Sequence, residues 1–246
     1  MGLFKPASMD KECDKAARIL KGFVGEFKLT LPGLPRRFLL LTTQTDKGKI
    51  PREVIANAQG LAIFSGFRAA MYLAGNSGSG LVVARLPDGT WSPPSSFSVR
   101  TGGFGLAYGV DVYDCVCVLN TRAAVEAYTK PEVQLGAGIA LAAGPIGGTA
   151  DTSGEVKPVW TYTKSKGVYG GLTVDGTIIT ERPKANEAFY QESASAAQIL
   201  GGMTGDGKWP GGKHLSELLK VAEGKGADVK VLQDISSEPT PGDLTR

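Results

Sequence analysis

Glycine in this chain falls inside the strand-like runs rather than between them, and that placement limits the fold more than any other feature. There are 34 glycines among 246 residues, about twice the usual share of roughly 7%. Gly105 and Gly109, then Gly167, Gly170 and Gly171, lie among Val, Leu, Thr and aromatic residues. Within a strand, glycine permits close backbone approach, bulges and sharp bends. The expected class is therefore α+β: a Gly-rich antiparallel sheet, curved or barrel-like, flanked by short helices. The pattern does not fix the topology.

The block Trp160 to Arg182 reads as a β-hairpin, its two runs meeting at Asp175-Gly176, a dipeptide that favours a tight turn. Other strands are expected over 61–67, 81–86, 104–119, 133–143 and 156–164, with a turn at Pro87-Asp88-Gly89. Gly75 to Gly80 reads as a loop that resembles a phosphate cradle, but Leu81 and Val82 stand where a P-loop needs Lys and Ser/Thr.

Ser8 to Val24 is the clearest helix. Met9, Cys13, Ala16, Ala17, Leu20, Phe23 and Val24 form one apolar stripe at helical spacing. Lys11, Lys15 and Arg18 share another face. Such a helix either packs on a core or lies in a membrane interface. Shorter helices are expected after Pro51, over 121–128 with Thr121 as cap, over 183–190, over 195–200 and over 214–222. Asp228 to Leu232 reads as a short strand, and the last dozen residues, polar with two prolines, as disordered. The chain divides into a helix and connecting segment (1–49), a core (50–200) and a Gly-rich loop, short helix and polar tail (201–246).

A net charge of +3 is too small to argue for nucleic acid as a partner. The charge is uneven: residues 1–60 carry 11 basic and 6 acidic side chains, residues 151–246 carry 11 and 13. A basic N-terminal part suits contact with an anionic membrane or a filament. Three cysteines and no leader-like segment imply a reducing cytoplasmic compartment, and no run approaches the length of a membrane span. Pro6 stands where N-myristoylation needs Ser or Thr.

Catalysis finds little support. His214 is the only histidine, and no nucleophile elbow accompanies it. Cys115 and Cys117 project to one side of a strand buried on both faces and read as free thiols, without the further ligands zinc requires. Asp111 and Asp114, three apart, face opposite sides of that strand and make a poor carboxylate pair. No enzyme activity, catalytic residue, metal or cofactor is expected. What the residues do offer is cations on rigid elements: Lys164 and Lys166, two apart, share one strand face beside glycines, a feature able to hold an anion.

These blocks resemble the SYLF family, lipid-binding domains of fungal and animal endocytic adaptors with bacterial relatives. The resemblance runs in order through Ile50-Pro51 with Gly60 to Ile63, Gly78 to Ser95, Asp114 to Asn120 with Ala123 to Val125, Leu141 to Gly147, and Trp160 to Arg182. It implies a phosphoinositide-binding peripheral membrane protein linked to endocytosis and cortical actin, located in the cytoplasm at plasma-membrane or cortical actin sites. The alternative it implies is an actin-filament binding or bundling module, or a protein scaffold. The candidate lipid and anion contacts are Lys11, Lys15, Arg18, Arg68, Lys164 and Lys166. Asp114 stands where the family also has Asp, and a hydrogen-bonding role is expected for it. Asn76 and Gly148 stand where many relatives carry Arg, which weakens the expected anion site, and Asp175 replaces a family Glu. No SH3-like segment is seen in these residues.

Overall fold

The computed structural model describes residues 7–24, 49–135, 141–143, 158–203, 209 and 211–243. The elements are α1 (Met9–Val24), α2 (Arg52–Asn57), β1 (Gly60–Ala84), β2 (Ser95–Leu119), α3 (Arg122–Ala127), β3 (Glu132–Leu135), β4 (Leu141–Ala143) and β5 (Val159–Glu181). After them come α4 (Pro183–Tyr190), α5 (Ala196–Leu200), α6 (Lys213–Ala222) and α7 (Val229–Gln233). This is the expected α+β class.

One sheet of five strands holds the molecule together, in the order β1-β2-β5-β3, with β4 added parallel to β5 and every other pairing antiparallel. A straight strand the length of β1 would extend roughly 80 Å, far beyond the size of such a domain. Instead β1 doubles back on itself. A Cβ on Gly60 would sit 2.9 Å from the carbonyl oxygen of Val83, one on Gly78 2.5 Å from that of Ser65, and one on Gly80 would collide with that of Ile63. The two halves of one strand thus touch backbone to backbone, and only glycine allows it. The β1–β2 register slips between Met71 and Leu73, near the middle of β1.

β5 is bent as well. Leu135 ends β3, which pairs with β5 at Thr177 to Thr180, and Leu141 starts β4, which pairs with β5 at Val159 to Thr161. Six residue steps reach at most about 20 Å, so Val159 and Thr177 lie within about 30 Å of each other, about half the span of a straight strand. The sheet is curved and, among the described residues, not closed.

Residues alternate cleanly between its two faces. Leu61, Ile63, Leu81, Val83, Val116, Val118 and Tyr162 join α1 and α6 in one core. Ala62, Phe64, Val82, Phe97, Val99, Tyr113, Cys115, Cys117 and Ile179 form a second core on the other face, covered by Ala124 and Val125 of α3. Period-2 alternation with both faces buried accounts for the scarcity of polar residues in these strands.

Several expectations are corrected. No turn occurs at Asp175-Gly176: both residues pair with β2, opposite Gly103 and Gly102, within an unbroken β5. The ladder with β2 overrides the local turn preference. Gly75 to Gly80 is strand, not loop, because Gly78 and Gly80 are spent on the close approach within β1. Residues 229–233 form a helix rather than a strand, since Asp228 caps it by accepting from the Lys230 amide. The expected strand over 133–143 is two short strands, and residues 136–140 between them lie outside the described residues. In the tail, residues 235–243 lie against the sheet through Thr240 and Gly242, and residues 244–246 lie outside the described residues. The turn at Pro87 to Gly89 is as expected, with Asp88 accepting from Thr90 N at 2.8 Å and Gly89 at φ +80. So is the cap of α3 by Thr121.

Candidate functional site

Helix α1 presents its apolar stripe to the sheet. Met9, Cys13, Ala16, Ala17, Leu20 and Phe23 are all buried, which is the core-facing reading of this helix. Burial, with nearby acidic residues adding to it, pushes the Cys13 thiol far above its usual range. Glu12, in the first turn of α1, also points inward and is buried. It accepts a 2.7 Å hydrogen bond from Ser79 Oγ and lies 2.6 Å from Lys15 Nζ, with Arg182 3.9 Å away. Burial lowers the pKa of Arg182, and Glu12 opposes that shift.

The six candidate cations are not equivalent. Lys11 and Lys166 are exposed. Lys15 is turned to Glu12 and to the carbonyl of Ser79, 3.3 Å away. Arg18 lies 3.6 Å from Glu238. Arg68 stands opposite Asp111 in the β1–β2 ladder, 3.6 Å from its carboxylate and 4.9 Å above the Tyr113 ring, on the face away from α1. Lys164 donates to the carbonyl of Gly22 at 2.8 Å, sits 5.0 Å from the centre of the Phe23 ring and lies 3.9 Å from Asp243.

The structure thus brings Arg18, Lys164 and Lys166 toward one face, where the C-terminal half of α1 meets β5, and puts Arg68 on another. Lys164 and Lys166 continue the β5 face that carries Trp160 and Tyr162, as their spacing implies. Gly148, one of the divergent positions, lies outside the described residues.

Asp114 is the residue whose importance was only partly foreseen. It is fully buried on the α1 face of β2, and its Oδ2 accepts from both the Thr240 hydroxyl and the Gly242 amide, the latter at 3.0 Å. Burial raises its pKa, and the bonds from Thr240 and Gly242 oppose that rise. The donors come from a segment more than a hundred residues away that composition alone marked as disordered.

Cys115 and Cys117 are buried with sulfurs 3.7 Å apart, and their contact, with burial, holds the Cys115 thiol well above its usual range. His214 Nδ1 lies 3.1 Å from Asp14 at the surface. Among the described residues, no cluster of His, Cys, Asp or Glu has the spacing to hold a metal, and no helix is long and apolar enough to cross a membrane.

The family model described as Las17-binding protein actin regulator, Ysc84, matches residues 100–222. The chain belongs to the Ysc84 family, the SYLF family of the sequence resemblance. The match takes in β2 from Arg100 onward, all of β5, and with them Asp114, Lys164 and Lys166.

Among curated Ysc84 relatives, the chain is 37% identical to an SH3 domain-containing protein of Schizosaccharomyces pombe over 82% of its length and 46% of that protein's. It is 37% identical to LAS seventeen-binding protein 3 of Saccharomyces cerevisiae, covering 80% of this chain and 41% of that protein. It is also 37% identical to the human SH3 domain-containing YSC84-like protein 1, covering 81% and 55%. The chain spans about half the length of the curated relatives it matches. No solved structure matches it.

Proposed function

We propose that this chain is a peripheral membrane module of an actin-regulatory system, recognising phosphoinositide headgroups at the cell cortex through the basic face where α1 meets β5. The observation that supports this most directly is the placement of Lys164 and Lys166 on one face of one strand, with Lys164 beside Gly22 and Phe23 at the end of α1 and Lys166 exposed two residues on. Lys11 is a further exposed cation, on the helix itself. Basic residues near an anionic surface contribute about 1 kcal/mol each, so a few of them give useful, salt-sensitive attachment. Because the apolar stripe of α1 is buried in the protein, attachment in this reading is by surface charge rather than by insertion of the helix.

The actin setting is supported by the family description and by relatives named for binding Las17. Filament binding by this chain itself is the second reading. Co-sedimentation with vesicles, across phosphoinositide species and at two salt concentrations, tests the first: binding that needs the phosphoinositide and weakens with salt is expected. Co-sedimentation with actin filaments in the absence of lipid, alongside indifference to vesicles, would transfer the function to the second.

A further inference from the structure

Past α7, residues 235–243 run back over the face just described. Lys21 Nζ donates to the Ile235 carbonyl at 3.3 Å. Arg18 meets Glu238, and Lys164 meets Asp243. Between those two ion pairs the segment is pinned by Thr240 and Gly242, both donating to Asp114. Gly242 lies flat on the β2–β5 ladder where Asp114 pairs with Lys164: a Cβ there would collide with the backbone nitrogen of Asp114 and stand 2.6 Å from the Lys164 carbonyl oxygen.

Two acidic side chains of the segment therefore occupy two of the cations that an anionic headgroup would use. The ion pairs are weak fasteners, since Glu238 is 80% exposed and Asp243 37%. The strong one is Asp114, buried beneath the segment with its second oxygen, Oδ1, accepting no hydrogen bond among the described residues. A short segment held at few points opens more readily than the core beneath it. Thr240 is followed by Pro241, and Thr-Pro is the dipeptide that proline-directed protein kinases modify.

We propose that residues 235–243 are a self-masking strap over the basic face, with Thr240 as its phosphorylation switch; this rests on the phosphoinositide reading above. A proline-directed kinase transfers the γ-phosphoryl group of ATP to Thr240 Oγ1. The new O–P bond forms as the bond to the β-phosphate oxygen breaks, ADP leaves, and the hydroxyl proton passes to the kinase. Thr240 is only 8% exposed when docked, so the kinase acts on the open form. The phosphate, at nearly two negative charges, cannot return against the Asp114 carboxylate. The strap then stays open, and Arg18 and Lys164 are released to bind lipid phosphates.

The test uses the full chain as wild type, Gly242→Ala and Thr240→Glu. Gly242→Ala forces the strap off without adding charge; Thr240→Glu stands in for the phosphate. Hydrogen exchange of the strap amides reports undocking. Co-sedimentation with phosphatidylcholine vesicles, with and without phosphatidylinositol bisphosphate, reports unmasking. Both variants are expected to exchange faster at 235–243 and to bind the phosphoinositide vesicles about five- to thirtyfold tighter, the gain from one or two freed cations. Kinase and ATP are expected to modify Thr240 faster in Gly242→Ala than in wild type. Strap amides protected as in wild type, equal or absent modification, or a released strap with unchanged or weaker binding would overturn the proposal. Wild-type binding with no gain in the variants sinks the strap alone, whereas no binding by any of the three sinks the membrane reading and the mask with it.

Discussion

Ser79 of β1 donates a 2.7 Å hydrogen bond to Glu12 of α1, a carboxylate that is 1% exposed, beneath the helix and against the sheet. Lys15 and Arg182 bring positive charge to the same carboxylate. The contact fixes how α1 sits on the curved sheet, and so where its C-terminal end stands relative to Lys164. Removing one partner of such a buried set is costly because it strands the others. Glu12→Ala is expected to destabilise by about 3–5 kcal/mol, and Ser79→Ala by about 1.5–3 kcal/mol as the loss of one bond to a charged acceptor. Urea denaturation of both variants, read at the transition midpoint, checks the size and the order. Equal midpoints for wild type and Glu12→Ala would show that the helix is held by its apolar stripe alone.

The doubling of β1 depends on glycine. In Gly80→Ala, the new methyl meets the backbone of Ile63 and Phe64, which cannot move aside without opening the strand. By contrast, a Cβ at Gly226 meets nothing within 4 Å, so Gly226→Ala is expected to be neutral or to stabilise by up to about 1 kcal/mol through the unfolded chain. Thermal melts should show a large fall in Tm for the first and little change for the second. Similar Tm values for the two would refute the close approach within β1.

This packing was only partly legible in the sequence. The glycine excess in strand-like runs foretold curvature, and the apolar stripe of α1 foretold a helix ending at Val24. Asp175-Gly176 misled because the turn preference of a dipeptide is small beside the ladder it would interrupt, and Gly75 to Gly80 misled because loop glycines and close-approach glycines look alike in one dimension. The basic pair Lys164 and Lys166 was visible from its spacing of two. The strap was not: Thr240 and Gly242 acquire meaning only from Asp114, and nothing local connects residues so far apart in the chain.

Arg85 fastens α2 and α6 to the β1–β2 connection. Its guanidinium donates to the carbonyls of Ile55 and Ala56, pairs with Glu223, and lies 3.8 Å above the Trp91 ring. Lysine has neither the planar fork nor the stacking surface these contacts use. Arg85→Lys is therefore expected to cost about 2 kcal/mol despite keeping the charge, most of it from lost hydrogen bonds. A denaturation midpoint at the wild-type value would show that charge alone suffices at this position.

All three cysteines are buried, and burial raises the Cys13 thiol far above its usual range. Alkylation follows the thiolate and its exposure. Intact-mass measurement after iodoacetamide treatment is expected to show no adduct on the native protein and three in denaturant. Rapid modification of the native protein at any one site would mean that the core around it opens.

The basic face where α1 meets β5 is proposed to hold phosphoinositide membranes. The most direct measurement is vesicle co-sedimentation of Lys164→Glu/Lys166→Glu beside wild type over a salt series, with Lys166→Glu alone as the exposed, fold-neutral member of the set. Wild-type binding is predicted to require the phosphoinositide and to fall with salt. The double variant is predicted to bind at least about fivefold more weakly, given about 1 kcal/mol for the exposed Lys166 alone while Lys164 is paired with Asp243. Binding by the double variant equal to that of wild type, with the same salt dependence, would contradict the account.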